Sequence, residues 1–580
     1  MLKKLLPALL FLLVSGAGLA QNPYPAGYFR SPVDTAIALA GNFGEIRPNH
    51  FHAGFDIKTN GKEGMPVYAV ADGYVSRIKI SPYGYGKALY IRHPNGYTSV
   101  YGHLQSFGTG IADFALKTQY YKQSFEIDTL MDPEQVPVKK GQLIGLSGNT
   151  GGSQGPHLHF EIRETATEMP LNPYLFGYTV PDNVPPKITA VVVYPFGEGS
   201  VNSRHTPKKI KVTYQKGQHS IANKMDTVTV NGSIGFGIEA YDTETRSSNQ
   251  NGVYSIELQS GGKRIFYYEM EKFSFEKARY VNAHIDYAEK QKHNDKIQKC
   301  FLSKNNQLGI YKDVLNNGIL SFTDDSVHWI RYIVKDYAGN TSELMLKVKS
   351  RSKPTAAKAQ ESATVLNPSL YFDCSKENNF SKEDVKVSIP ANALYDDIQQ
   401  FGYSRPSSVK GSFSPLHRIQ NAETALQKAY TLSIRPNHLP DTLQSKACIV
   451  SVNEKGGKTY EGGSYADGWV TTQTKSFGNF TVAVDTVPPR IRTAFKYVPK
   501  TTVDLSNAKT IGIIASDNLS GIKKYRAKID GNWVLCEYEF KKDLLFYTFD
   551  GTLEKRVHTF EIEVTDDKGN ASVLMFSFKR

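Results

Sequence analysis

A chain of 580 residues is too long for a single hydrophobic core, and at roughly 100 to 200 residues per domain it is expected to divide into about four. Its 40% hydrophobic and 12% aromatic content, with 34 Tyr and 30 Phe, excludes a disordered chain and leans toward β-structure. The formal charge of +13 favours polyanionic surroundings such as a cell wall or an anionic envelope surface. No dense Lys/Arg run or aromatic-interleaved basic stripe is present, so no nucleic acid is expected as a partner.

Residues 1–20, "MLKKLLPALLFLLVSGAGLA", place two lysines before a short apolar run and then small residues, the pattern of a signal peptide cleaved after Ala20. The apolar run is too short to span a bilayer comfortably and no later segment replaces it, so no transmembrane anchor is expected. The mature protein is expected in the periplasm, in the cell envelope or outside the cell.

From 21 to 180 the chain alternates short apolar strands with Asp72-Gly73 and Asn95-Gly96 turns, which predicts an antiparallel β-sheet domain. A repeat follows. "DNVPPKI" at 182–188 recurs as "DTVPPRI" at 485–491, and "DYAGNTSELMLKVK" at 336–349 recurs as "DDKGNASVLMFSFK" at 566–579. Repeated turn and strand signals of this kind mark modules, here 183–350 and 485–580. The first copy is longer by a polar, aromatic insertion around "FSFEKARYVNAHIDYAEKQKHND". Between the copies, 351–365 has linker composition and 366–484 reads as a further strand-rich module. The Pro-Pro and Asp-x-x-Gly-Asn signatures resemble bacterial immunoglobulin-like β-sandwiches.

Four distant cysteines, Cys300, Cys374, Cys448 and Cys536, exclude a cysteine zinc site and a dense disulfide framework. Pairing of Cys374 with Cys448 and buried free thiols are both compatible with the sequence.

Six of the fourteen histidines, at 50, 52, 93, 103, 157 and 159, fall before position 160. In "GPHLHFEIR" (155–163), His157 and His159 are two apart in a strand pattern and so project from one face. In "RPNHFHAGFDI" (47–57), His52 and Asp56 are four apart and share a face if that segment is extended. Two histidines and a carboxylate suit a zinc ion with an open fourth position, which is a catalytic form of site. His103 in "VYGHL" lies between the two segments. No H-E-x-x-H occurs, so the helical zinc-protease site is excluded.

The order and spacing of His-x-x-x-Asp, Tyr-Gly-His-Leu and "GNTGGSQGPHLHFEIR" resemble the lysostaphin-type, LytM-like zinc endopeptidases, which cut peptide bonds in peptidoglycan. The similarity covers about 45–175. It implies one zinc per chain on His52, Asp56 and His159, with His103 and His157 as the catalytic, non-ligand histidines, and peptidoglycan as substrate. His50 is expected to line the cleft or support a ligand. Glu161 is expected either to orient His159 or to pair with Arg163. The segment after His103, "GTGIADFALKTQYYKQSFEIDTLMDPEQ", is longer than the family's usual connection and is expected to wall the cleft or partly cover it.

"GGSQG" at 151–155 matches G-x-S-x-G, but Pro156 leads into a strand pattern instead of the helix a nucleophile elbow needs. His93 before a turn reads as structural. The C-terminal modules, which carry no comparable cluster, are expected to place the enzyme on wall, envelope or partner proteins. The rival readings are a non-catalytic LytM-like regulator, disfavoured by the complete histidine set, and an adhesin.

Overall fold

The computed structural model describes residues 23–222, 227–245, 247–352, 370–406 and 408–580. The predicted leader at 1–20 and most of the linker at 351–365 lie outside the described residues. The chain is mostly β, and among the described residues no helix is long and apolar enough to cross a membrane.

The first domain is built on β1 (Leu39–Gly41), β2 (Phe55–Lys58), β3 (Gly73–Ile80), β4 (Lys87–Arg92), β5 (Tyr97–Gly102), β6 (Ile127–Leu130) and β7 (His157–Glu164). They pair in the order β1-β2-β7-β5-β4-β3-β6, antiparallel throughout. The period-2 alternation decides the faces. In β7, Leu158, Phe160 and Ile162 are fully buried beside Phe55, Ile57, Leu89 and Ile91 in one core, leaving His157, His159, Glu161 and Arg163 on the opposite face. Helix α1 (Ile111–Lys122) and β6 occupy the long connection after His103.

The segment 187–350 forms one continuous eleven-stranded sheet around a large core, with a smaller cluster of Val192, Tyr194, Ile297 and Phe301 apart from it. Its two longest strands, Lys187–Val201 and Val228–Tyr241, pair along their length with a break in register between Phe196 and Ser200. Such irregularities bend a strand and let one sheet close over a core. The aromatic insertion folds as a short 3-10 turn, Phe275–Tyr280, and two helices, Val281–His284 and Tyr287–His293, and buries Phe273, Tyr280, Val281 and Ile285 in that core.

Two five-stranded sheets between Asn378 and Val484 share a second sandwich core, and a four- and a five-stranded sheet between Arg490 and Lys579 enclose a third. All four cysteines are free and buried, so Cys374 and Cys448 do not pair.

The first core does not contain every apolar residue of the first domain. Phe43, Ile46, Phe51 and Ala53 belong to the core of the 187–350 sheet. They flank a tight hairpin, Ile46–Arg47 against His50–Phe51, whose Asn49 accepts a hydrogen bond from Asn282 of the insertion at 2.9 Å.

Candidate metal centre

Strand pairing assembles the site. His159 of β7 lies opposite Asp56 of β2 on one side and Gly102 of β5 on the other. The turn between the hairpin and β2 brings in His52, and it passes β7 so closely that a Cβ on Gly54 would sit 2.1 Å from the Phe160 carbonyl oxygen. Only glycine fits there.

Three atoms converge. His52 Nε2 lies 3.0 Å from Asp56 Oδ1 and 3.0 Å from His159 Nδ1, and His159 Nδ1 lies 2.8 Å from Asp56 Oδ1. All three side chains are nearly inaccessible to solvent.

The opposite ring nitrogens decide what these atoms present. His52 Nδ1 faces the Asn42 carbonyl at 2.7 Å, and His159 Nε2 faces Glu161 Oε1 at 2.7 Å. A carbonyl and a carboxylate accept only, so those nitrogens donate, and in neutral rings His52 Nε2 and His159 Nδ1 carry lone pairs. Two lone pairs and a carboxylate oxygen at this spacing repel unless a cation lies among them. The donor set can hold zinc: two imidazoles and a carboxylate leave an open fourth position, and the spacing approaches the tetrahedral edge of about 3.3 Å set by bonds of about 2.0–2.1 Å.

The protein's own charges bias the set. Burial raises Asp56, but His52 and the bonds from His157 and His159 outweigh it and hold the carboxyl well below its usual range. Burial depresses His52 despite Asp56. For His159, burial is overcome by the Asp56 and Glu161 hydrogen bonds, which carry it up to about 9. In the absence of metal, a proton on His159 is the cation the cluster attracts.

A supporting layer surrounds the three. Glu161 receives His159 on Oε1 and Arg163 Nε on Oε2 at 2.6 Å, so it does both things between which the spacing left a choice. Tyr85 stacks on His159 with ring centroids 4.9 Å apart and donates its hydroxyl to Glu161. Arg47 occupies Asp56 Oδ2, which leaves Oδ1 for the converging set. Tyr85, Arg47 and Asn42 were not singled out from sequence, because the partner of Tyr85 is remote and those of Arg47 and Asn42 are nine and ten residues away with no periodic signal.

His103 and His157 flank the set, their rings 4.8 Å apart. His103 Nδ1 donates to the Thr150 carbonyl at 2.8 Å, and His157 Nδ1 to that of Gly155 at 2.8 Å. His157 turns Nε2 inward, 3.3 Å from Asp56 Oδ1, and the His103 ring centroid lies 5.9 Å from that of His159. His103 has a positive φ of 58°, a strained conformation of the kind that clusters at functional sites. Burial, then His159 and His157, push it down to about 3.

His50 is exposed, with Nδ1 held 2.8 Å from the Pro48 carbonyl; no bond joins it to the converging atoms. His93 is buried between the Asp72 carbonyl and Ser99 Oγ, both at 2.8 Å. Ser153 of "GGSQG" sits in a loop that runs straight into β7, its Oγ bonded to the Gly155 carbonyl. That loop is also reached from the last module: Lys541 donates to the carbonyls of Asn149 and Ser153. The same module meets the segment after His103 through Trp533, edge-on to Tyr120 at 5.1 Å, so α1 faces the 490–579 module.

Residues 50–173 match the family described as Peptidase family M23, and this segment is a peptidase family M23 domain. Residues 369–485 match the Zu5-like domain. Similar proteins include the DD-carboxypeptidase/endopeptidase Mpg of Neisseria meningitidis, 34% identical over 131 residues, covering 23% of this chain and 24% of that protein. The peptidoglycan DD-endopeptidase ShyB of Vibrio cholerae is 30% identical over 148 residues, covering 25% and 29%. Among solved structures, a zinc-containing peptidase from Vibrio cholerae is 30% identical, covering 25% of this chain and 38% of that one, with a TM-score of 0.19. The chain thus spans about a quarter of the length of the curated relatives it matches.

Proposed function

We propose that this protein is an exported zinc-dependent endopeptidase of the cell envelope that hydrolyses peptide bonds in peptidoglycan, in crosslinks or stem peptides. The observation that carries the reading is the convergence of His52 Nε2, Asp56 Oδ1 and His159 Nδ1 within 3.0 Å of one another. These three residues would hold one zinc ion per chain. The names of the M23 relatives, which include peptidoglycan endopeptidases, support the substrate class.

Bound there, zinc supplies Lewis-acid polarisation of a carbonyl and acidifies a water to a pKa of about 7. The chain's own residues do the rest. His159 is fixed in the lone-pair tautomer by Glu161, and Arg163 and Tyr85 hold Glu161. His103 and His157, anchored through Nδ1, take up a proton at Nε2; once protonated, each can hydrogen-bond a developing oxyanion or deliver the proton to the departing amine. The β-sandwich modules, of immunoglobulin-like and Zu5-like type, place the site on wall or envelope partners.

The test is digestion of purified sacculi by wild type and His159→Ala, with released fragments identified by mass and zinc measured alongside. Muropeptides cut at a peptide bond by wild type alone are expected. Equal products from both proteins, or no zinc in wild type, would reject the reading in favour of a non-catalytic regulator.

A further inference from the structure

The two repeated modules build the same clip twice. In the first, Val184 N donates to Asp182 Oδ1 at 3.0 Å. Asn340 donates from N and Nδ2 to the two oxygens of Asp336, at 2.9 and 2.8 Å, and from Nδ2 to the Asp182 carbonyl at 3.4 Å. In the last module, Val487 N bonds Asp485 Oδ1 at 3.2 Å, and Asn570 bonds Asp566 at 2.8 and 2.6 Å and the Asp485 carbonyl at 3.0 Å. A third aspartate joins each clip. Carboxylate oxygens of Asp182, Asp242 and Asp336 lie within 4.8 Å of one another, and so do those of Asp485, Asp517 and Asp566.

Three carboxylates so close repel strongly when partly desolvated. The copies differ in what offsets this. The last module places Lys568 in its Asp-x-Lys-Gly-Asn turn, where its half-buried ammonium, bonded to the Gly463 carbonyl, interacts with Asp567, Asp485 and Asp566. The first module has the exposed Ala338 at that position.

Each triad leaves a carboxylate oxygen unpartnered, Asp517 Oδ1 in the last module, where Asp517 is only partly buried, and Asp242 Oδ1 in the first, where burial is deeper. Asp242 is 4% exposed and its Oδ1 has no hydrogen-bond partner; Asn251, which pairs with it backbone to backbone, is 2% exposed and its Oδ1 has none either. A buried polar atom without a partner calls for an explanation, and a water or an ion is one. Burial, and then Asp336 and Asp182, push the Asp242 carboxyl up to about 8. A cavity of about 190 Å³, bordered by Tyr174, Tyr178, Tyr337, Ala338 and Asp182, reaches the triad at Asp182 and has room for water there.

We propose that Asp182, Asp242 and Asp336 bind a calcium ion at the junction of the peptidase domain and the first module. The donors are all oxygen, which suits a hard cation that takes six to eight oxygen ligands, waters among them, and not zinc. Tyr174 of the peptidase domain stacks on Tyr337 at 4.6 Å, and Tyr337 donates to the Tyr174 carbonyl at 3.0 Å. Asp336 adjoins Tyr337, so the ion locks the joint between the two units. This site is independent of the zinc reading.

The experiment titrates calcium chloride into the zinc-loaded full chain in calcium-free buffer, followed by calorimetry and thermal unfolding, with zinc content monitored. Wild type is expected to bind one calcium per chain and to unfold at higher temperature as calcium rises. Asp242→Asn and Ala338→Lys, the latter supplying the ammonium that the last module has, should each weaken binding at least tenfold, while Asp517→Asn should not. Ala338→Lys adds an exposed side chain and leaves every clip hydrogen bond in place, so it decides the matter if Asp242→Asn folds poorly. No calcium binding by wild type, or binding unchanged in Ala338→Lys, overturns the proposal. Binding lost only in Asp517→Asn overturns it too, since the ion would then sit in the last module.

Discussion

The ring of Phe51 lies 5.9 Å from that of His284, so the residue preceding His52 is seated in the core of the next module. The hairpin that delivers His52 is therefore supported from outside the sheet that carries Asp56 and His159. A chain ending near Val180 would expose Phe43, Ile46 and Phe51, each worth about 1.5–3 kcal/mol of burial. Such a truncation is expected to aggregate or bind zinc weakly. Phe51→Ala in the full chain should cost about 3–5 kcal/mol in urea unfolding and loosen zinc; a truncated chain with undiminished zinc affinity would contradict this.

The two histidines of "HFH" should behave differently. His50 is exposed and bonded to the Pro48 carbonyl, whereas His52 is buried against Asp56 and His159. His50→Ala is expected to retain stoichiometric zinc by elemental analysis, and His52→Ala to lose it. Loss of zinc from His50→Ala would overturn the ligand assignment.

Glu161 holds His159 and Arg163 at once while fully buried, and Arg163 together with the His159 contact pulls its carboxyl down to about 2 against burial. Glu161→Gln removes the charge that fixes the His159 tautomer and leaves the buried Arg163 guanidinium with only the half-exposed Glu168, at 3.3 Å, as counterion. Zinc affinity should fall about 10- to 100-fold, and stability by roughly 3 kcal/mol. Competition with a chromogenic chelator and denaturant unfolding measure the two effects; an unchanged zinc affinity would limit Glu161 to a structural role.

Acid should destabilise the first module through His284. Burial, opposed by its bond to Gln298, pushes this imidazole down to about 4, against about 6.5 in an unfolded chain. Because the folded-state pKa is depressed, the stabilisation is fully present above pH 6.5 and is lost as pH falls from there toward 4, up to about 3 kcal/mol. Wild type should lose more stability than His284→Gln between pH 7 and pH 4.5. Zinc loss in acid is common to both proteins and cancels in the comparison. Parallel stability curves for the two proteins would remove His284 as the cause.

The composition and period-2 patterns were enough to predict a mostly β chain with an antiparallel first domain, because alternation maps directly onto the two faces of a strand. The same periodicity put His157, His159, Glu161 and Arg163 on one face, and spacing singled out His52 and Asp56, since ligands on neighbouring strands leave local signatures. The repeated Asp-Val-Pro-Pro and Asp-x-x-Gly-Asn segments were likewise visible as strings. What they build was not, because Asp242 and Asp517, which end the related segments "GIEAYD" and "GIIASD", join the clips from far along the chain, and no string says which remote segments meet.

Tertiary structure alone decided the rest. It placed Arg47 on Asp56 and Tyr85 on His159, seated Phe51 in a neighbouring core, brought Lys541 to the loop before His157, and closed 187–350 as one bent sheet instead of two. Each depends on contacts between segments far apart in the chain or on a bend where register breaks, and no sequence period encodes such a contact. Local pattern therefore named the atoms that converge, while long-range packing determined how they are held.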